Sequence, residues 1–298
     1  MKQRVAVTGS SGMIGTALTA YLSNRGDDVV RLVRREPRAA DEVSWDPAAG
    51  RLDPTKLAGV TAVVNLAGAG IGDHRWTADY KKTIEQSRVS STSTVADAMA
   101  SMGEPVRFVS ASGMSYYGDR GDDVVDEQAS TGESFLADVT RVWEAATQPA
   151  VAAGCPTTFL RTSLVLAPAQ GSMKQVMLLA KLGLGGPLGS GRQWWSWISL
   201  EDQVRAIVHL IDNPDITGPV NMASPSPVRQ RDFMRALGSA LHRPAVLPAP
   251  ATALRVILGE FSSEILTSLR LEPGALEQSG FEWKHREMAD VAAYLAAG

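Results

Sequence analysis

Short β-branched runs alternate with one-sided helical stretches along roughly the first 160 residues of this chain. "RVAVTG" leads into "MIGTALTAYLSNRG", then come "DDVVRLVRR", "VTAVVNLAG", a helix near 77–102, "VRFVSAS", a helix near 134–153 and "TTFLRTSLVL". Alternating strand and helix periods predict an α/β fold, a doubly wound parallel sheet with helices on both faces. In the first helix Ile14, Leu18, Tyr21 and Leu22 return at helical spacing, and Gly26 stands where a left-handed C-cap would end it.

Beyond about residue 165 the alternation loosens. Five glycines between 183 and 191, followed by Trp194, Trp195 and Trp197, read as a mobile loop with aromatic anchors. "SLED" then opens a helix as a capping box, Ser199 over Asp202, which makes Asp202 a helix-start residue before a catalyst. A proline-punctuated stretch from about residue 246 reads as a small helical appendage. The expected division is 1–245, with a smaller substrate lobe from about 165 onward, and 246–298.

Composition narrows the function. With 298 residues and 44% hydrophobic content, the chain can bury a sizeable core. Its 29 Lys and Arg against 32 Asp and Glu leave a net charge of −3 with no basic block, so nucleic acid is not an expected partner. Cys155 is the only cysteine, and the N-terminus runs into a strand without a signal-like segment, so a reduced, cytoplasmic setting is expected. The greasiest stretch, "VMLLAKLGLGGPLG", is broken and short for a bilayer, so no membrane partner is expected. His74, His209, His242 and His285 share no i, i+4 pair or cysteine neighbour, which argues against a metal site. No GxSxG elbow or Cys–His arrangement points to hydrolase chemistry.

The strongest motif is "VAVTGSSGMIG". Gly9, Gly12 and Gly15, with Ser10, Ser11, Met13 and Ile14 between them, lie between a strand and a helix. Such glycines allow the tight turn, the approach of a pyrophosphate and close helix–strand packing, and the phosphate then meets the positive end of the helix. The competing explanation is a tight structural corner. At the end of the second strand, where an acid would bind a ribose 2′-hydroxyl, stand Arg34 and Arg35. A guanidinium suits a 2′-phosphate, so NADP(H) is expected over NAD; the alternative is a solvated charge run beside Glu36. Leu66, Ala67 and Gly68, in "NLAG", would let the backbone pass close to the cofactor, or form a plain turn.

With "TGSSGMIG" stand "SWDP", "VVNLAGAGI", "RWTADYKKTIEQSRV", "SASGMSYYGDRGDD", "FLADVTRVWEAA", "LGLGGPLGSGRQWWSWISLED" and "LHRPAVLPAPATALRVILGE". Through these strings the chain resembles, over nearly its whole length, the atypical extended short-chain dehydrogenases/reductases called epimerase family proteins. The resemblance implies a Rossmann-like NADP-binding domain, a substrate lobe and a family-specific C-terminal domain.

In that superfamily a tyrosine and a lysine four apart on the helix after the fifth strand exchange the proton. Aligned by Glu144, those positions are Leu136 and Thr140 here, so both halves are missing, while Phe135, Val139 and Trp143 read as core. The resemblance puts Ser112 near the catalytic serine or threonine and Tyr117 at the tyrosine of a "YG" pair, making them the catalytic candidates, with a polar strand end as the alternative. Arg88 falls where relatives keep a proton-relaying asparagine, and is expected near the cofactor unless it is merely solvated. Arg161 is either the buried partner of a carboxylate or a substrate contact. Arg192 and Trp194 are either substrate contacts or anchors that close the lobe.

Two functions follow. One is an NADP-dependent oxidoreductase or epimerase acting on a small hydroxylated substrate, either free or nucleotide-linked. The other is a catalytically silent NADP(H)-binding sensor, favoured by the missing tyrosine and lysine.

Overall fold

The computed structural model describes residues 2–168, 173–182 and 185–297, built on a seven-stranded sheet. Its strands are β1 (Arg4–Thr8), β2 (Asp28–Val33), β3 (Glu42–Ser44), β4 (Ala62–Asn65), β5 (Arg107–Gly113), Thr157–Thr162 and Gly218–Met222. Every pairing in it is parallel, in the order β3-β2-β1-β4-β5, then Thr157–Thr162, then Gly218–Met222. The chain builds outward from β1 to β3, then returns to lay β4 on the other side of β1. Ligands of such sheets bind at that reversal, beyond the carboxyl ends of the strands.

The expected doubly wound sheet is therefore the observed architecture. Covered on both faces, the central strands read as continuous apolar runs. Val5 and Val7 of β1 pack on one side with Leu18, Leu22, Val64 and Leu160, whereas Ala6 packs on the other with Val63, Val95 and Phe108. Full burial of each large aliphatic side chain contributes about 1.5–3 kcal/mol. The helix α1 (Met13–Arg25) ends as expected at Gly26, whose φ of 91° is left-handed. Tyr21, expected on its inner face, is 40% exposed, so the buried stripe is narrower than the apolar pattern suggests.

Two elements are divided where the pattern predicts one. The helix expected near 134–153 is α3 (Phe135–Ala145), which follows α2 (Ala78–Ala100) in the chain, and a separate turn of helix at Gln148–Ala152. Pro149, near the start of the second piece, has no N–H to continue the ladder. "TTFLRTSLVL" also divides at Ser163, whose hydroxyl is held by Met222 O at 2.7 Å. Leu164–Leu166 then leaves the main sheet and pairs with Trp197–Ser199.

The described part of the glycine-rich loop is pinned, not free. A Cβ on Gly186 would stand 2.0 Å from Leu247 O, and Gly189 N and Ala249 N bond Ala249 O and Pro187 O, each at 2.8 Å. Glycine there permits backbone to lie against backbone. Gly183 lies outside the described residues.

The C-terminal segment packs into the main body. Leu276 and Phe281 belong to the core around Leu18 and Val220, and Met288, Val291 and Leu295 pack with Trp197, Phe233 and Leu237. Arg270–Leu271 pairs in parallel with Val124–Val125. The Glu127 carboxylate accepts from Asn221 N at 3.0 Å and Ala275 N at 3.1 Å. No described helix is long and apolar enough to cross a membrane.

Candidate functional site

Register places Thr8 beside Asn65 and Asn65 beside Ser110, so the exits of β1, β4 and β5 open along one edge. There the Gly9–Gly15 turn is fixed by sterics. Gly9 has φ 64°, and a Cβ on it would stand 2.8 Å from the Leu66 carbonyl carbon. One on Gly15 would stand 2.1 Å from Gly9 O. Neither position tolerates a side chain. Gly12 N donates to Gly9 O at 2.9 Å.

Gly12 is the N-cap of α1 and supplies no side-chain cap, so the first amides of the helix, at Met13, Ile14 and Gly15, point outward without partners from the cap. Ser10 and Ser11 lie on the same turn, partly to fully exposed. This arrangement presents N–H donors and a helix dipole to an anion.

Behind the turn, Thr8 Oγ1 donates to Asn65 Oδ1 at 2.7 Å and accepts from the amides of Leu66 at 2.9 Å and Ala67 at 3.1 Å. That hydroxyl locks the β4 exit against the glycine turn. From α2, Ser91 Oγ donates to Ala67 O at 3.2 Å, Ser87 Oγ accepts from Ala69 N at 3.0 Å, and Arg88 lies under Gly68, 3.3 Å from where its Cβ would be. Arg88 donates to Ile84 O at 3.0 Å, stacks 5.0 Å from the Trp143 ring centroid and has no carboxylate partner among the described residues. Burial pushes its pKa down to about 10. It is thus an unpaired cation at the turn where the sequence placed the cofactor, and not a solvated helix-face residue.

At the end of β2 a cavity of about 550 Å³ is lined by Arg34, Arg35, Ser44, Trp45, Asp46 and Arg51, among others. Two of its three guanidiniums are already engaged. Arg35 makes a two-pronged contact with Glu42, 2.7 Å on each prong, which holds that carboxylate down to about 2. Arg51 pairs with Asp46 at 2.7 Å. Arg34 has no ion-pair partner among the described residues, and Arg35 forms part of the wall. Trp45, 4% exposed, has an indole N–H without a partner. A free guanidinium at the end of β2 and an uncapped helix start after β1 fit a dinucleotide carrying an extra phosphate. Sequence reasoning passed over Trp45, although "SWDP" marked its place.

The expected reaction residues lie deeper. Ser112, 5% exposed, donates to Glu144 Oε1 at 2.6 Å. Arg161, 4% exposed, grips both oxygens of Glu144, from Nε at 2.9 Å and Nη2 at 3.0 Å. Its Nη1 also donates to the Tyr117 hydroxyl at 3.0 Å, and that hydroxyl donates to Asn221 Oδ1 at 2.7 Å. Tyr117 is fully buried, and burial, opposed by Arg161, pushes its phenol up to about 12. Burial alone would lower Arg161, but its bonds to Glu144 hold it above the ordinary value.

The hydroxyls of Ser112 and Tyr117, the expected catalytic candidates, are both engaged within this network, which matches the alternative of a polar strand end. Arg161 is the buried partner of the Glu144 carboxylate, the first of the two roles expected for it. Thr140, at the missing lysine's position, is also buried and bonds Leu136 O.

Farther round, Trp194 is stacked between Arg229 and Arg270, at 4.1 and 4.7 Å, and donates to Asp122 at 3.1 Å. Trp194 thus joins Asp122 to the short strands Val228–Arg229 and Arg270–Leu271; Arg192 beside it is exposed. Among the described residues no group of three or more His, Cys, Asp or Glu side chains has the geometry to hold a metal ion.

Residues 5–223 match the family model for the NAD dependent epimerase/dehydratase family, and residues 249–295 match a domain of unknown function, DUF1731. An epimerase family protein of Mycobacterium bovis is 43% identical over 97% of this chain and 96% of its own. The crystal structure of human epimerase family protein SDR39U1 (isoform 2) with NADPH superposes with a TM-score of 0.90 at 28% identity, covering 99% of this chain and all of that one. A nucleoside-diphosphate sugar epimerase structure from Corynebacterium glutamicum has a TM-score of 0.81 at 33% identity, covering all of this chain and 59% of that one.

Proposed function

The chain belongs to the NAD dependent epimerase/dehydratase family, and on that premise we propose that it binds NADP(H) and acts as an oxidoreductase or epimerase on a small hydroxylated substrate. The observation that carries the cofactor reading is Arg34, without an ion-pair partner among the described residues, lining the cavity at the end of β2, while the start of α1 at the end of β1 is uncapped. The human relative solved with NADPH supports it. The Corynebacterium relative's name supports a nucleotide-linked substrate.

In this reading Arg34 holds the 2′-phosphate, and the amides of the Gly9–Gly15 turn hold the pyrophosphate. The Leu66–Gly68 backbone and Arg88 flank the ribose and nicotinamide side. When bound, the reduced nicotinamide supplies a hydride. The buried Ser112–Glu144–Arg161–Tyr117 network keeps the β5 exit rigid, and Thr8 fixes the β4 exit against the glycine turn.

Titration of the purified protein with NADPH and NADH checks the central contact. Arg34→Ala should weaken NADPH by about tenfold to a hundredfold, the worth of a charge-assisted bond, and leave NADH nearly unchanged. Equal weakening of both would remove Arg34 from the 2′-phosphate site. The second reading, a silent NADP(H) sensor, is favoured by Leu136 and Thr140 in the place of the proton-exchanging pair. Tight NADPH binding with no oxidation across a panel of carbonyls and sugar nucleotides would select it.

A further inference from the structure

A carboxylate from the C-terminal segment reaches the exit of β5. Glu264, in the short helix Ser262–Leu266, accepts from Ser115 Oγ at 2.8 Å; Ser115 lies in the single turn Met114–Tyr117 that follows β5. Among the described residues Glu264 has no ion-pair partner. Its segment is tied to the neighbouring exit as well. Phe261 lies 3.4 Å from where a Gly72 Cβ would be and 5.8 Å, centroid to centroid, from Trp76. Glu260 pairs with Lys81 of α2, and Arg75 donates to Val256 O at 3.0 Å. The segment therefore bridges the loops that leave β4 and β5, above the crevice where a doubly wound sheet brings substrate to cofactor.

Neither position of the expected tyrosine–lysine pair carries a proton donor of that kind here. Leu136 and Thr140 fill the tyrosine and lysine positions, and Tyr117 is sealed in the core. A partly buried carboxylate without a cation is unfavourable, and such groups concentrate where proton transfer is needed.

We propose that Glu264, delivered by the C-terminal segment, is the group that exchanges a proton with substrate in this site, in place of the missing tyrosine and lysine. The proposal rests on the dinucleotide reading above. In the reducing direction the Glu264 O–H breaks and a substrate O–H forms, leaving the carboxylate. The electron pair that reduces the substrate carbon is the hydride of NADPH, and the oxidising direction reverses each change. Burial raises the Glu264 pKa, opposed by the Ser115 bond, which favours an acid able to give its proton nearer neutrality.

Other charged or titrating groups on the elements around it are Lys81 and Glu260, paired to each other; Arg75; Asp73, against Gly70; His74, edge-on to Tyr80; and Tyr116 over Arg161. Of these, His74 is the imidazole and needs its own control.

The test is the ratio of NADP⁺ to NADPH affinity between pH 5 and 8, which needs no substrate. A deprotonated Glu264 beside the site favours the cationic nicotinamide, so the ratio should rise with pH by about tenfold. The 2′-phosphate is common to both forms and cancels. In Glu264→Gln the ratio should be flat, and in His74→Gln the rise should persist. Ser115→Ala, which removes the bond that stabilises the carboxylate, should move the inflection to higher pH, and decides the matter if Glu264→Gln does not fold. A flat wild-type ratio with both nucleotides tightly bound, a rise retained in Glu264→Gln, or an inflection unmoved in Ser115→Ala overturns this proposal alone. Failure to bind either nucleotide overturns the dinucleotide reading with it.

Discussion

Tyr117 shows how a residue's surroundings decide its chemistry. Its hydroxyl donates to Asn221 and accepts from Arg161, with no face open to a ligand. Tyr117→Phe leaves Asn221 Oδ1 and one Arg161 N–H without that partner, so it should destabilise the protein by about 1–3 kcal/mol in denaturant unfolding while NADPH affinity stays within about twofold. Lost turnover at unchanged stability would return Tyr117 to the reaction site. Sequence could not separate these outcomes, because burial of Tyr117 depends on Asn221 and Arg161, far along the chain. The glycines were legible for the opposite reason: their constraint lies in the residue type itself. Arg34 and Arg35 look alike in sequence, and only Glu42, across the β2–β3 pairing, tells them apart.

At the level of elements, order and type were legible from periodicity and ends were legible from caps, while interruptions were not. Gly26 and Ser199 were readable because each satisfies a local backbone need. The departure of Leu164–Leu166 from the main sheet was hidden, since its cause is a partner strand at Trp197–Ser199. Asp202 shows the same limit. Its amide is capped by Ser199 as the motif required, yet its carboxylate also takes the amides of Lys284 and His285, each at 2.8 Å, and pairs with Arg205 at 2.8 Å. Being fully buried, it ties a helix of the main body to the C-terminal segment. Asp202→Ala should therefore cost about 3–5 kcal/mol, read as a lowered melting temperature with early amide exchange across residues 284–297. A change confined to the first turn of its own helix would reduce Asp202 to a cap.

For the whole molecule, the sequence separated 1–245 from 246–298, and the packing joins them. Leu276 and Phe281 fill the core beside Leu18 and Val220, so a fragment ending at residue 245 would expose one side of that core. Such a fragment should fail to give a cooperative thermal transition, and a sharp transition with retained NADPH binding would show that the first part folds alone. The pairing of Arg270–Leu271 with Val124–Val125, and the hold of Glu127 on Ala275, add a matter of timing. Contacts that span so much chain close slowly, and they cannot form during synthesis until the final stretch has been made. During synthesis the core beside Leu18 and Val220 therefore lacks Leu276 and Phe281 until that segment has emerged, and chaperones have that interval in which to act.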